Sequence, residues 1–409
     1  MAPLSFSSPW RQEEAVRGPV RLGIIGFGKR GGVLWTYAFS KKEGFRVTAV
    51  CDVDETRRLD GKKRVDEFYG DDGCAVESTH EALLARDDVD AVVIATPDHW
   101  HTHQILDACA AGKDVYCEKP LTFTLRESQI VIEAVKKSGI VFQTGSQQRS
   151  EYGHSFVRAA EAVRGGRIGR VMEVFVGVGD SPVACDLETE EMEAGLDWDR
   201  WLGPAPMRGY NERLSPRGVH THYPHWRDYH EYAGGRLADM GAHHFDIAQW
   251  ALGMDDSGPV RVLPPSDPAG KRGATLVYGN GTRLTHGGAG GATFVGEKGI
   301  LAVDRGRISS IPKSVIGKDE PWVQEDETLR LPRNKDHATD WLDRIHDRGT
   351  PTCTAEIGAR SAAICHLMNI AYRHRRELEW DPVNWQFVGD DEANAWLDYE
   401  RREGYELPL

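Results

Sequence analysis

The chain has 409 residues, 40% of them hydrophobic and 28% charged, which is the profile of an ordinary globular protein too long for one small domain. Its formal net charge of −13 argues against nucleic acid and anionic membranes as partners. No apolar run approaches the roughly 20 residues a membrane-spanning helix needs.

Residues 1–19 lack the basic and apolar pattern of a secretory leader and read as a loose arm. Residues 20–25 form a short apolar run ending in glycines, as a buried parallel strand does. A helix is expected over 31–42, a strand over 46–51 and a helix over 56–69. A second buried strand is expected at 91–95 and a helix over 102–111, stopped by Gly112. Residues 114–117 read as a strand that delivers Lys119, 125–138 as a helix stopped by Gly139, and 140–143 as a strand. This strand–helix alternation predicts a parallel sheet covered on both faces over 20–145.

The texture then changes. A strand is expected at 171–177, and residues 180–235 are rich in Trp, Tyr, His, Pro and Gly with little periodicity. Residues 236–252 read as a helix. Short strands are expected at 275–278, 282–285, 292–295 and 300–304, with Asn280-Gly281 as a hairpin turn between the first two. Residues 263–273 read as a surface loop and 354–373 as a long helix. The second domain, 146–380, is therefore expected to be α+β with a largely antiparallel sheet, followed by a tail over 381–409. Seven cysteines without a Cys-x-x-Cys motif read as reduced thiols, so a cytoplasmic setting is expected.

Gly26-x-Gly28-x-x-Gly31 lies between the first strand and its helix, where a dinucleotide fingerprint belongs. The first glycine makes the turn, the second admits a pyrophosphate, and the third lets helix and strand pack closely. Phosphates would then sit at the helix N-terminus, beside Phe27, Lys29 and Arg30. Asp52, at the end of the second strand, would accept hydrogen bonds from the adenosine ribose and repel a 2′-phosphate. NAD is therefore expected rather than NADP. Behind this fingerprint, Glu118-Lys119-Pro120 points to a positive charge held against the nicotinamide.

The chain resembles the Gfo/Idh/MocA oxidoreductases, named after glucose–fructose oxidoreductase and inositol dehydrogenase. The residues that carry the resemblance are Gly26–Gly31, Ala95-Thr-Pro-Asp-His-Trp-His101, Ala111-Gly-Lys-Asp-Val-Tyr-Cys-Glu-Lys-Pro120 and Gly234-Gly-Arg-Leu-Ala-Asp-Met-Gly-Ala-His-His-Phe-Asp246. The tail resembles one branch of that family through residues 356–361, 380–382 and 387–389. The resemblance implies a Rossmann domain followed by a domain with an open-faced sheet, and a substrate held between nicotinamide and sheet. It also implies that Thr96, Pro97, His101 and Glu118 lie at the cofactor, that Lys119 is the motif lysine with a candidate cis bond to Pro120, and that Asp239 and His243 are an acid and a base.

The implied chemistry suits these side chains. Taking hydride from a secondary alcohol carbon requires loss of the hydroxyl proton, and histidine is a base in the right range. Lys119 would hold the hydroxyl and stabilise the alkoxide. Asp239 and His243 are four apart on a helix, so the carboxylate could orient the ring. Asp246 and Trp250 continue that face, and Asp246 could equally be structural. Without the resemblance, a lysine after a strand reads as a solvated residue and an Asp/His pair as a surface pair. His244 reads as packing. Arg149 and Gln147 could reach the cleft, Tyr223 and Trp226 could stack on a sugar, and the remaining aromatics of 198–232 read better as core. His99, His101 and His103, with the histidines at 220, 222, 225 and 230, lack an acidic or thiol partner at ligand spacing, so no metal is expected.

The leading reading is an NAD-dependent dehydrogenase acting on a sugar, glycoside or cyclitol. A second is an NAD-dependent glycosidase or lyase that oxidises a sugar carbon transiently, eliminates, and returns the hydride. A third is a non-catalytic NAD or sugar sensor, which would have no need for Lys119, Asp239 and His243 together. A homodimer or homotetramer is expected, because an open sheet face needs covering.

Overall fold

The computed structural model describes residues 18–317 and 329–408. The expected arm lies outside the described residues except for its last two positions. The first apolar run forms β1 (Val20–Ile25) and turns at Gly26 into α1 (Lys29–Leu34), which continues as a π-helical turn to Phe39. There follow β2 (Phe45–Cys51), α2 (Glu55–Tyr69), β3 (Ala75–Glu77), α3 (His80–Leu84), β4 (Ala91–Ile94), α4 (His101–Ala110), β5 (Asp114–Cys117), α5 (Leu125–Ser138) and β6 (Phe142–Thr144). The six strands are parallel, in the order β3-β2-β1-β4-β5-β6. Strands β1 and β4 are apolar and almost completely buried because helices cover both sheet faces. Strand order reverses between them, and the carboxyl ends there form the crevice where such sheets bind ligands.

The second unit contains α6 (Ser155–Arg164), β7 (Val171–Gly177), the short α7 (Trp198–Leu202) and α8 (Gly235–Leu252). Next come β8 (Pro259–Leu263), β9 (Thr275–Tyr278), β10 (Arg283–His286), β11 (Gly291–Gly296), β12 (Gly299–Asp304) and β13 (Arg307–Ile311). The chain ends with α9 (His337–Asp347), α10 (Ala355–His374), β14 (Leu378–Asp381), β15 (Gln386–Phe387) and α11 (Asp391–Asn394). The sheet order is β13-β12-β11-β7-β10-β9-β8-β14-β15, antiparallel except for the parallel pair β7–β10. The Asn280-Gly281 turn joins β9 to β10, with Gly281 at φ 86°. Val174, Val176, Leu276, Leu284 and Phe294 point from one sheet face into a core shared with α6, α8 and α10.

Two features hold the units together at the site. Helix α10 packs on α5, and α9 inserts Trp341, fully buried, against Phe39, Phe45 and Tyr116 of the first unit. Helix α8, buried along most of its length between α6, α10 and the sheet, carries Asp239 and His243 towards the carboxyl ends of the parallel strands.

Candidate active site

The glycine motif is built as a dinucleotide cradle. Gly26 has φ 85°, and a Cβ there would lie 2.9 Å from the Thr96 nitrogen. At Gly31 a Cβ would lie 2.1 Å from the Gly26 carbonyl oxygen, so helix and strand touch only because no side chain intervenes. At Gly28 a Cβ would meet nothing within 4 Å, leaving open space where a pyrophosphate approaches. The Asp52 carboxylate is fixed by N–H donors from Phe27 (2.8 Å) and Asp54 (3.0 Å), while burial raises its pKa. Gly26, Gly28, Lys29, Arg30, Asp52 and Thr96 line one wall of a groove, with Pro97 beside them. The residues present therefore fit a dinucleotide. Phe27 uses only its backbone here; its ring is buried against α2.

Lys119 meets α8 where the two units join. The Lys119–Pro120 bond is cis. Lys119 Nζ donates to the Asp239 carboxylate (2.7 Å) and to the Asp239 carbonyl (2.8 Å), leaving one of its three donors for a substrate. Burial alone would raise the Asp239 pKa, but Lys119 and Arg227 outweigh it and hold the group down to about 2. His243 is buried, and among the described residues its Nδ1 has no hydrogen-bond partner. Burial first, then the Lys119 ammonium, push its pKa well below the usual value, so the ring is neutral. Asp239 and His243 do share a helix face, but the carboxylate is engaged by Lys119 and Arg227 rather than orienting the ring.

Other expected site residues occupy supporting positions. Glu118 is buried and binds Arg30 (2.6 Å) and Gln147 (3.1 Å); these cations and donors lower its pKa against the effect of burial. His101 sits under the cleft, Nδ1 facing the Pro120 carbonyl (2.8 Å) and Nε2 the Thr96 carbonyl (3.1 Å). It thus braces the two loops that carry Lys119 and the groove floor. Trp226 lines the groove, whereas Tyr223 is exposed and stacks under the Arg227 guanidinium. Arg149 does not face the cleft. Its side chain is 1% exposed and is fully engaged by Asp246 (2.7 Å) and Asp255 (2.7 Å), so the substrate contact expected of it is replaced by a structural ion pair. Asp246 also accepts from Ser361, which settles it as structural. Trp198, Trp201, Tyr210, Tyr229 and Tyr232 form a separate hydrophobic cluster.

Two residues were not singled out from the sequence. Arg227 lines the groove, lies over Trp226 at 4.1 Å and approaches Asp239 at 3.6 Å, so it joins the groove to the Lys119–Asp239 pair. Asp98 is buried beside Arg227, Asp239 and Lys119, and burial raises its pKa to about 8. Its place within the Ala95–His101 motif was the only available signal.

Two family models cover most of the chain. Residues 20–146 match the NAD-binding Rossmann fold of an oxidoreductase family, and residues 178–407 match that family's C-terminal alpha/beta domain. The chain belongs to the Gfo/Idh/MocA oxidoreductase family. Glycosyl hydrolase family 109 protein 2 of Shewanella sp. (strain ANA-3) is 43% identical over 112 residues, 26% of this chain and 24% of that protein. The match therefore spans about a quarter of that relative's length. Myo-inositol 2-dehydrogenase of Thermotoga maritima is 25% identical over 71% of this chain and 77% of its own length. The WlbA dehydrogenase of Bordetella pertussis, solved with NADH and UDP-GlcNAcA, shares the fold at TM-score 0.63 and 18% identity over 89% of this chain and 98% of its own. The match to the oxidoreductase family thus runs through both units of this Gfo/Idh/MocA chain.

Proposed function

We propose that this chain is an NAD-dependent oxidoreductase that moves a hydride between nicotinamide and a secondary alcohol carbon of a sugar, glycoside or cyclitol. The observation that carries the reading is the contact of Lys119 with Asp239 beside a neutral His243 whose Nδ1 is buried without a partner among the described residues. A bound nicotinamide supplies the hydride acceptor. Lys119 donates its free N–H to the reacting hydroxyl and stabilises the alkoxide as charge develops. His243, neutral in its buried setting, takes the hydroxyl proton on its imidazole. Asp239 fixes the ammonium in place and offsets the positive charge of Lys119 and Arg227. NAD is favoured over NADP because the Asp52 carboxylate, just after β2, would accept hydrogen bonds from the adenosine ribose and repel a 2′-phosphate. The nearby Arg57 is turned to Ser215, Pro216 and Gly218 rather than left free for a 2′-phosphate.

Lys119→Ala and His243→Ala should each lower turnover by roughly 10²–10⁴-fold while NADH binding survives. Steady-state kinetics together with NADH fluorescence titration check this; near-normal turnover in either variant removes that residue from the mechanism.

The glycosidase reading, in which hydride returns to the product, is kept by one observation: the 43% identity to a protein named for glycosyl hydrolase family 109. Bond cleavage in an aryl glycoside without net NADH would favour it, whereas net NADH from a sugar or cyclitol favours the dehydrogenase.

A further inference from the structure

The groove that the Rossmann unit opens has a second wall, and that wall comes from the C-terminal domain. Trp201, Leu214, Ser215, Pro216, Trp226 and Arg227 line it. It is fastened to the first unit on both sides. On the adenosine side, Leu196 forms an antiparallel bridge with Asp54, the Glu55 N–H donates to the Gly195 carbonyl (3.0 Å), and the Asp197 N–H donates to Val53 (3.1 Å). Arg57, buried at the start of α2, donates to Ser215 Oγ (3.2 Å) and to the carbonyls of Gly218 (3.3 Å) and Pro216. On the opposite side the Trp100 indole donates to the Trp201 carbonyl (3.1 Å). Gly203 rests on that indole with φ 50°, where a Cβ would lie 2.3 Å from the ring.

A strap closes the arrangement from outside. The segment 398–405 is anchored on the Rossmann unit by Arg401 to the fully buried Glu127 (2.7 Å) and by the Tyr405 carbonyl at His103 (2.9 Å). Between these anchors, Arg402 grips the wall, donating to the Gly203 carbonyl (2.7 Å) and to the Asp199 carboxylate (2.7 Å) and carbonyl (3.1 Å). Asp199 is 65% exposed, so this grip can be released at modest cost. The wall thus faces Gly28 and Asp52 across the same groove.

We infer that residues 195–227 are the second wall of the dinucleotide site, presenting Arg227 to the ligand's anionic backbone, and that cofactor exchanges only when this wall lifts against the Arg402 strap. The inference rests on the reading of the groove as the dinucleotide site. NADH binding should slow amide hydrogen exchange across 195–227 as well as around Gly26–Gly31. In Arg402→Ala, NADH should dissociate about tenfold faster in stopped-flow displacement, as expected for loss of charge-assisted bonds, with faster exchange at 195–205. Arg402→Lys should restore part of the difference, and Asp199→Asn provides a second, independent loosening of the same grip. A strap that only stabilises the fold would lower the melting temperature and leave the NADH dissociation rate unchanged; that result in both Arg402→Ala and Asp199→Asn overturns the inference. NADH protection confined to the Rossmann unit overturns it as well. If neither NADH nor NADPH binds the wild-type chain, the dinucleotide reading falls first and the inference falls with it.

Discussion

A carboxyl group buried near other carboxylates keeps its proton into the neutral range, and Asp98 is in that position, with Asp239 and Glu118 close by and its pKa raised to about 8. The sign for stability follows. Between the ordinary value of 3.8 and about 8, the folded chain holds a proton that the unfolded chain has released, so stability falls as pH rises through that window and levels off above it. Asp98→Asn keeps the neutral shape and should lose less stability than wild type in thermal unfolding from about pH 5 to about pH 8. Equal slopes would show that Asp98 is ionised throughout. Asp239 runs the other way: its depressed pKa stabilises the fold above the usual carboxylate range, and that contribution is lost as pH falls towards about 2. Lys119, Asp239 and His243 were legible through the resemblance to a known family; by local pattern alone, a lysine after a strand and an i, i+4 Asp/His pair read as surface residues. The sequence did not expose Arg227, whose role depends on how an aperiodic stretch folds back over the groove.

Helix α8 shows why Arg149 could not be read from sequence. Asp246 was legible as part of the Asp239–His243 face, but its partner lies on the turn after β6 and the second acid, Asp255, beyond the helix end. Arg149→Met should cost about 3–5 kcal/mol in chemical denaturation, because it leaves a buried carboxylate unpaired. A substrate-contacting arginine would instead raise KM with little loss of stability. The parallel strands other than β3, and the helices ending at Gly112 and Gly139, were legible because each is an apolar run or an amphipathic stretch closed by a stop residue; β3 is only three half-buried residues. Strands β13 and β14 were not legible. The sequence RISSI of β13 is polar and half-exposed at a sheet edge, and LEWD of β14 alternates buried and charged residues over only four positions. Helix α9 was missed although it carries local signals, the Asp336 carboxylate capping the Thr339 N–H (2.9 Å) and a buried stripe through Ala338, Trp341 and Ile345.

At the scale of the molecule, the site exists only where the two domains meet. Lys119 arrives on the loop after β5 and Asp239 and His243 on α8, while Arg227 and the wall around it close the groove that Asp52 and the glycines open. This division of labour explains why the sequence-based reading reached the class of chemistry but not the substrate. In the proposed reading the motif residues would act on a hydroxyl, and selection among sugars would fall to side chains from the aperiodic 180–235 stretch. The most direct test is rapid mixing of the NAD-loaded protein with a panel of sugars, cyclitols and aryl glycosides, unlabelled and deuterated at the carbinol carbon. The reduced-nicotinamide absorbance band is followed in wild type and His243→Ala. The account predicts that at least one substrate produces the band in wild type, more slowly when deuterated, and that His243→Ala loses it while still binding NAD. Absence of the band throughout the panel in protein that binds NAD, or an undiminished band in His243→Ala, would contradict it.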